Sequence, residues 1–154
     1  MTSEIQFEVV DKIDIDDLKA FYDAQGCVMP QSVNKLSTMV DNSVCFVTAR
    51  ESNGRLVGIA RGVADGLRGY LTECKLDPSR QGPGAVTHVD GRIEHDQYGI
   101  ASEMATQVIR ALADMGCERI DARAYGTEVD FCEELGFRRD AGSVPMSLDT
   151  TVLT

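Results

Sequence analysis

Asp96-Gln97-Tyr98-Gly99-Ile100-Ala101-Ser102-Glu103-Met104 opens the stretch that decides the fold. From Gly99 onward apolar residues recur at helical spacing. Ile100, Met104, Val108, Ile109, Leu112 and Met115 form one stripe, and Gly116 ends it. The period then changes. Ile120, Ala122 and Ala124 alternate with Asp121 and Arg123, so residues 119–125 read as a strand. A strand, a long helix and a second strand in this order imply one parallel β-α-β unit with a right-handed crossover.

Working back from this unit, the chain is a meander preceded by two helices. Residues 5–10 alternate, with Ile5, Phe7 and Val9 set against Gln6 and Glu8, and read as a strand. Asp14 is placed to cap a helix whose first turn holds Asp16 and Asp17, where the helix dipole favours carboxylates. Ile15, Leu18, Phe21 and Tyr22 line one face of that helix, and Gly26 stops it. Ser32 caps a second helix carrying Leu36, Met39 and Val40. Residues 44–49 form an apolar strand. Ser52-Asn53-Gly54 turns it into 56–64, and Asp65-Gly66 turns again into 70–76.

A run rich in Pro and Gly follows at 77–84, with Pro78, Gly82, Pro83 and Gly84. Residues 85–94 hold Val86, Val89 and Ile93 at apolar positions. They read as a strand that pairs back on 70–76, or else as an inserted excursion; we favour the strand, directly before the long helix. Beyond the β-α-β unit, residues 128–135 form a short helix ending at Gly136, and 137–139 and 144–148 read as two final strands.

Composition excludes several classes. The chain has 154 residues, with 15 Lys+Arg against 25 Asp+Glu and a formal net charge of -10. Neutralising phosphates needs a basic surface, so neither nucleic acid nor an anionic membrane is an expected partner. An acid-rich surface with few lysines also suits a high-salt cytoplasm. No apolar run approaches the roughly 20 residues of a membrane helix, and the first residues lack the pattern of a signal peptide, so a cytoplasmic location is expected. The five cysteines (27, 45, 74, 117, 132) are widely spaced and the only histidines are His88 and His95, so no metal site is expected.

The order of elements resembles the GCN5-related N-acetyltransferases (GNAT). The resemblance rests on Gly54-Arg55-Leu56-Val57-Gly58, on Gly99-Ile100-Ala101 with its helix, and on Glu134-Leu135-Gly136-Phe137. It implies an α/β (α+β) fold over residues 1–154 as a single domain, in which a mixed, mostly antiparallel sheet with one parallel β-α-β unit is flanked by helices. It also implies transfer of an acetyl group from acetyl-CoA, the co-substrate, to a primary amine of a small molecule or peptide by direct attack. A homodimer is compatible with it.

By the same resemblance, amides of Gly99, Ile100, Ala101 and Ser102 hold the CoA pyrophosphate, with Gln97, Tyr98 and Phe131 beside them. Val89, Asp90 and Gly91 bond the pantetheine as an added strand. A base must take the amine proton. His88 and Glu73 are the candidates, one for each register of 85–94. Cys132 stands where the family often has an acidic tyrosine, and Tyr125 is a further candidate. The family pattern Arg/Gln-x-x-Gly-x-Gly/Ala puts Asp96 in the Arg/Gln place, where a carboxylate repels pyrophosphate. Asp96 and Cys132 therefore keep a second reading in view, a non-catalytic GNAT-fold binding module with a degenerate CoA motif.

Overall fold

Helix starts follow the local chemistry. The Asp14 carboxylate accepts the Asp16 amide at 2.9 Å and opens α1 (Ile15–Ala24). Ser32 accepts the Lys35 amide at 3.4 Å and opens α2 (Val33–Asp41). The computed structural model describes residues 4–27, 32–83 and 90–153. Its strands are β1 (Gln6–Val9), β2 (Cys45–Arg50), β3 (Leu56–Ala64), β4 (Arg68–Leu76) and β5 (Arg119–Ala122). They form one sheet in the order β1-β2-β3-β4-β5, antiparallel except for the parallel β4–β5 pair. Between β4 and β5 the chain runs through α3 (Ile100–Asp114), and α4 (Val129–Glu134) follows β5. This is the expected α/β sheet with its single parallel crossover.

Period-two alternation splits the core between the two faces of the sheet. Leu18, Tyr22, Leu36, Phe46 and Ile59 pack under α1 and α2. Val47, Val57, Met104, Val108 and Leu112 pack under α3. The second layer lies close because β3 is bare where α3 crosses it. A Cβ on Gly58 would fall 2.8 Å from Met104 Cε, and one on Gly62 would fall 2.7 Å from Val108 Cγ1.

The register of β3 on β4 shifts between Arg61↔Glu73 and Gly62↔Leu71, leaving Thr72 as an extra residue. Such a bulge bends its strand. The β4–β5 pairing ends at Leu71↔Ala122, at that bulge, so β5 stops short of the expected residue 125. Beyond it β4 continues to Leu76 and the two strands part.

Two further expectations are corrected. Of the stretch 85–94, residues 85–89 (Val86, His88 and Val89 among them) lie outside the described residues. The described part is not a strand: Asp90 (φ 54°) and Gly91 (φ 70°) both take left-handed backbone and turn the chain. The Gln97 amide then returns to the Gln81 carbonyl at 3.0 Å, closing the base of an excursion from the β4–α3 connection. The parallel neighbour of β5 is therefore β4 itself. Residues 137–139 and 144–148 are not strands either. An Arg119–Asp140 ion pair (3.3 Å) holds the start of this tail beside β5 by side chains, not by a ladder, and the Gly142 amide donates to Asp140 (3.1 Å) within the tail itself.

Candidate functional site

The site grows from the gap where β4 and β5 part. The excursion bridges that gap. At the β4 side, the Leu76 amide donates to the Gly91 carbonyl (3.0 Å), and Lys75 Nζ (2.8 Å) and Cys27 Sγ (3.3 Å) donate to the Asp90 carbonyl. At the β5 side, the Arg92 guanidinium lies 3.8 Å from the centroid of the Tyr125 ring, a cation–π contact. The Ile93 amide donates to Glu128 at 3.1 Å, and the Ile93 side chain is fully buried in the α3 layer.

Gln81 fastens the segment from beneath. Its side-chain amide donates to the Leu76 and Arg92 carbonyls (2.8 and 2.9 Å), and its oxygen accepts the Glu94 and His95 amides (2.8 and 3.1 Å). Both donors and both acceptor positions of the amide are used. Sequence reasoning missed Gln81. The available signal was a lone amide side chain inside a Pro- and Gly-rich run, where only such a group satisfies loop N–H and C=O together.

Asp96 ends the segment at the start of α3. Gly99, the N-cap, has φ 72° and no side chain to cap with. Asp96 supplies the cap from upstream. Its Oδ1 accepts the Ala101 amide at 2.9 Å, and its Oδ2 accepts the Ser102 amide at 3.0 Å and the Ser102 hydroxyl at 2.6 Å. The Gly99 amide donates to the Asp96 carbonyl at 3.1 Å. The helix dipole favours this carboxylate as it would a phosphate. An opening of about 480 Å³ lies beside it, between the excursion and α4. Glu94, Asp96, Asp130 and Glu134 line it together with His95.

The remaining candidates are distributed as follows. Asp90 and Gly91 belong to the turn under β4. Gln97 is held by its backbone to Gln81, Tyr98 is exposed, and Ile100 and Phe131 are core residues. Tyr125 is exposed beneath Arg92. Cys132 lines a groove on the far side of β5. Burial, then the nearby Glu128 charge, push its thiol up to about 11. Cys74, a partly buried residue of β4, is held well above the thiol range by desolvation and by Glu128 and Asp96, and its thiol donates to the Ala101 carbonyl. His88 and Val89 lie outside the described residues.

Glu73 sits at the bulge on the opposite side of β4. Arg61 Nε donates to its Oε1 at 2.5 Å, and the Tyr22 hydroxyl bonds both oxygens at 3.0 and 3.2 Å. Burial first, then the Glu73 charge and hydrogen bond, hold the Tyr22 phenol far above its ordinary range, so it donates and does not ionise. Neither Tyr22 nor Arg61 was singled out from sequence, because each reads locally as a core aromatic or a strand arginine. Among the described residues no cluster of His, Cys, Asp and Glu could hold a metal ion, and no helix is long and apolar enough to cross a membrane.

A GNAT-family acetyltransferase from Streptococcus pneumoniae superposes with a TM-score of 0.67 at 15% identity, covering 95% of this chain and 100% of that one. The GNAT fold is the fold of this chain. A Trypanosoma brucei acetyltransferase matches it at TM-score 0.67 and 19% identity, covering 95% of this chain and 99% of that one. An aminoglycoside acetyltransferase from an uncultured soil sample, solved with sisomicin, matches at 0.67 and 14%, covering 94% and 95%. No family model and no curated protein matches the sequence. The GNAT frame thus supplies the splayed strands and the helix start, while the residues that fill them belong to this chain.

Proposed function

We propose that this chain is a GNAT-fold binding module for a cationic amine, with a CoA motif that its own residues 90–96 occupy. One observation carries the reading: the carboxylate of Asp96 already holds the Ala101 amide and both donors of Ser102. A pyrophosphate at that helix start would have to displace three charge-assisted hydrogen bonds. It would also meet the carboxylates of Glu94, Asp130 and Glu134 in the adjoining opening. The amides are of the right kind for an acyl-CoA, but with Asp96 among them they do not fit an anionic group. The same acidic surroundings, on a chain of net charge -10, favour a protonated amine.

A second reading keeps a specific observation behind it. Glu73, partly buried beside Tyr22 and Arg61 on β4, is a carboxylate of the kind that takes a proton from an attacking amine. In that reading the chain is an N-acetyltransferase that moves the acetyl group of acetyl-CoA to a primary amine of a small molecule or peptide. Segment 90–96 must then leave before the co-substrate enters.

Free-thiol release from acetyl-CoA across a panel of primary amines and polyamines separates the two. The binding-module reading expects release no faster than the enzyme-free blank, with at least one amine raising the melting temperature in the absence of acetyl-CoA. Amine-dependent release that Glu73→Gln abolishes would establish the enzyme instead.

A further inference from the structure

Segment 90–96 is held in the gap chiefly by a residue outside it. Gln81 is 1% exposed, and all its side-chain bonds go to backbone. One partner, the Leu76 carbonyl, lies on β4. The other three, the Arg92 carbonyl and the Glu94 and His95 amides, lie on the segment. A single amide group therefore fastens the segment to the sheet.

The next residue closes the neck of the excursion. The Gln81 carbonyl takes the Gln97 amide at 3.0 Å, and Gly82 (φ 122°) lies against the Gln97 side chain. A Cβ on Gly82 would fall 2.5 Å from Gln97 Oε1 and 2.9 Å from Gln97 Cβ. A larger residue at 82 has neither the space nor the backbone conformation. Asp96 sits between the two residues so fastened, His95 and Gln97. Its place over the start of α3 is set from Gln81.

The fastening depends on hydrogen bonds that have no substitute inside the gap. Polar backbone groups away from water need partners. Without the Gln81 amide, the Arg92 carbonyl and the Glu94 and His95 amides reach water only by leaving. Gly91 (φ 70°) and Gly99 (φ 72°) flank the segment and give it points to turn about. The buried Ile93 side chain and the Ile93 amide bond to Glu128 oppose the departure. Stranding four polar groups outweighs exposing one isoleucine.

We propose that Gln81 sets the ligand class of this cleft: it latches segment 90–96, and with it the Asp96 carboxylate, over the α3 amides, and releasing it admits an acyl-CoA. Gln81 is a positioning residue that acts through Asp96. The inference rests on the reading of Asp96 as the group that keeps the anion out.

Gln81→Leu removes the four bonds at similar volume. Hydrogen exchange at the Glu94 and His95 amides should become roughly tenfold faster or more. Acetyl-CoA should bind in calorimetry roughly tenfold tighter or more than to the wild type. Loosened packing alone speeds exchange but creates no affinity. Gly82→Ala keeps the Gln81 side chain and forces the neck apart, so it should shift both readouts in the same direction by less, and it serves where the leucine variant does not fold. Unchanged exchange at Glu94 and His95 would overturn the latch. Faster exchange with unchanged acetyl-CoA affinity would overturn it as well, and Asp96→Ala then separates the two ideas. If that variant binds acetyl-CoA, the role of Gln81 alone falls; if it does not, the reading of Asp96 falls with it.

Discussion

Ile93 and Met146 are both apolar residues outside the regular elements, yet Ile93 is 0% exposed and Met146 is 86% exposed. The difference lies in the backbone around them. Irregular chain can be buried only where its N–H and C=O groups find partners. Around Ile93 they do: the Gly91 carbonyl takes the Leu76 amide, Glu128 takes the Ile93 amide, and Gln81 serves Arg92, Glu94 and His95. Around Met146 two exposed side-chain ties, from Arg119 and Arg123, do the holding. The inner side of β5 is closed by the chain itself. Its outer side is an edge that no strand covers among the described residues.

The largest expected effect breaks this contrast directly. Ile93→Ala should cost about 2–5 kcal/mol in urea unfolding, since it empties a fully buried site. Met146→Ala in dilute protein should stay within about 0.5 kcal/mol. Equal costs would mean that the excursion is not part of the core. Next in size is the cap. Asp96→Ala removes three hydrogen bonds at the start of α3 and should cost about 1–2 kcal/mol. It also bares the Ala101 and Ser102 amides, so acetyl-CoA should bind the variant more tightly than the wild type in calorimetry. An unchanged affinity would show that Asp96 is not what keeps the anion out.

The smallest effect concerns Cys132. Its folded thiol holds its proton up to about 11, against an ordinary value of 9.0. The folded chain therefore binds more protons than the unfolded chain between these values. The stabilisation is complete below pH 9 and is lost as pH rises through 11. Cys132 is half-buried, and with solvent screening the loss is about 1 kcal/mol. Urea midpoints of the wild type and Cys132→Ser at pH 8 and pH 11 measure it. The wild type should lose more than the variant; parallel losses would remove Cys132 from the account.

The β-α-β unit was legible because Ile100, Met104, Val108 and Leu112 bury one helical face and Ile120 and Ala122 alternate behind them. Asp96 stood out as the wrong charge at a helix start. Its partners were not legible, because capping from three residues before a glycine N-cap follows from the turn geometry of Gly99. The described end of 85–94 was misread because an apolar Ile93 fits a strand pattern, while the bonds that hold residues 90–95, from Gln81 and Glu128, are long-range and leave no period. The final strand was misread for the converse reason. Val144, Met146 and Leu148 have the alternation of a strand, but alternation says nothing about where the partner edge is.

Calorimetric titration of acetyl-CoA into the wild-type chain is the most direct test that Asp96 and its segment occupy the CoA motif. No saturable heat is expected for the wild type under conditions where Asp96→Ala gives a one-to-one isotherm. Saturable one-to-one binding to the unaltered chain, as tight as to the variant, would contradict it.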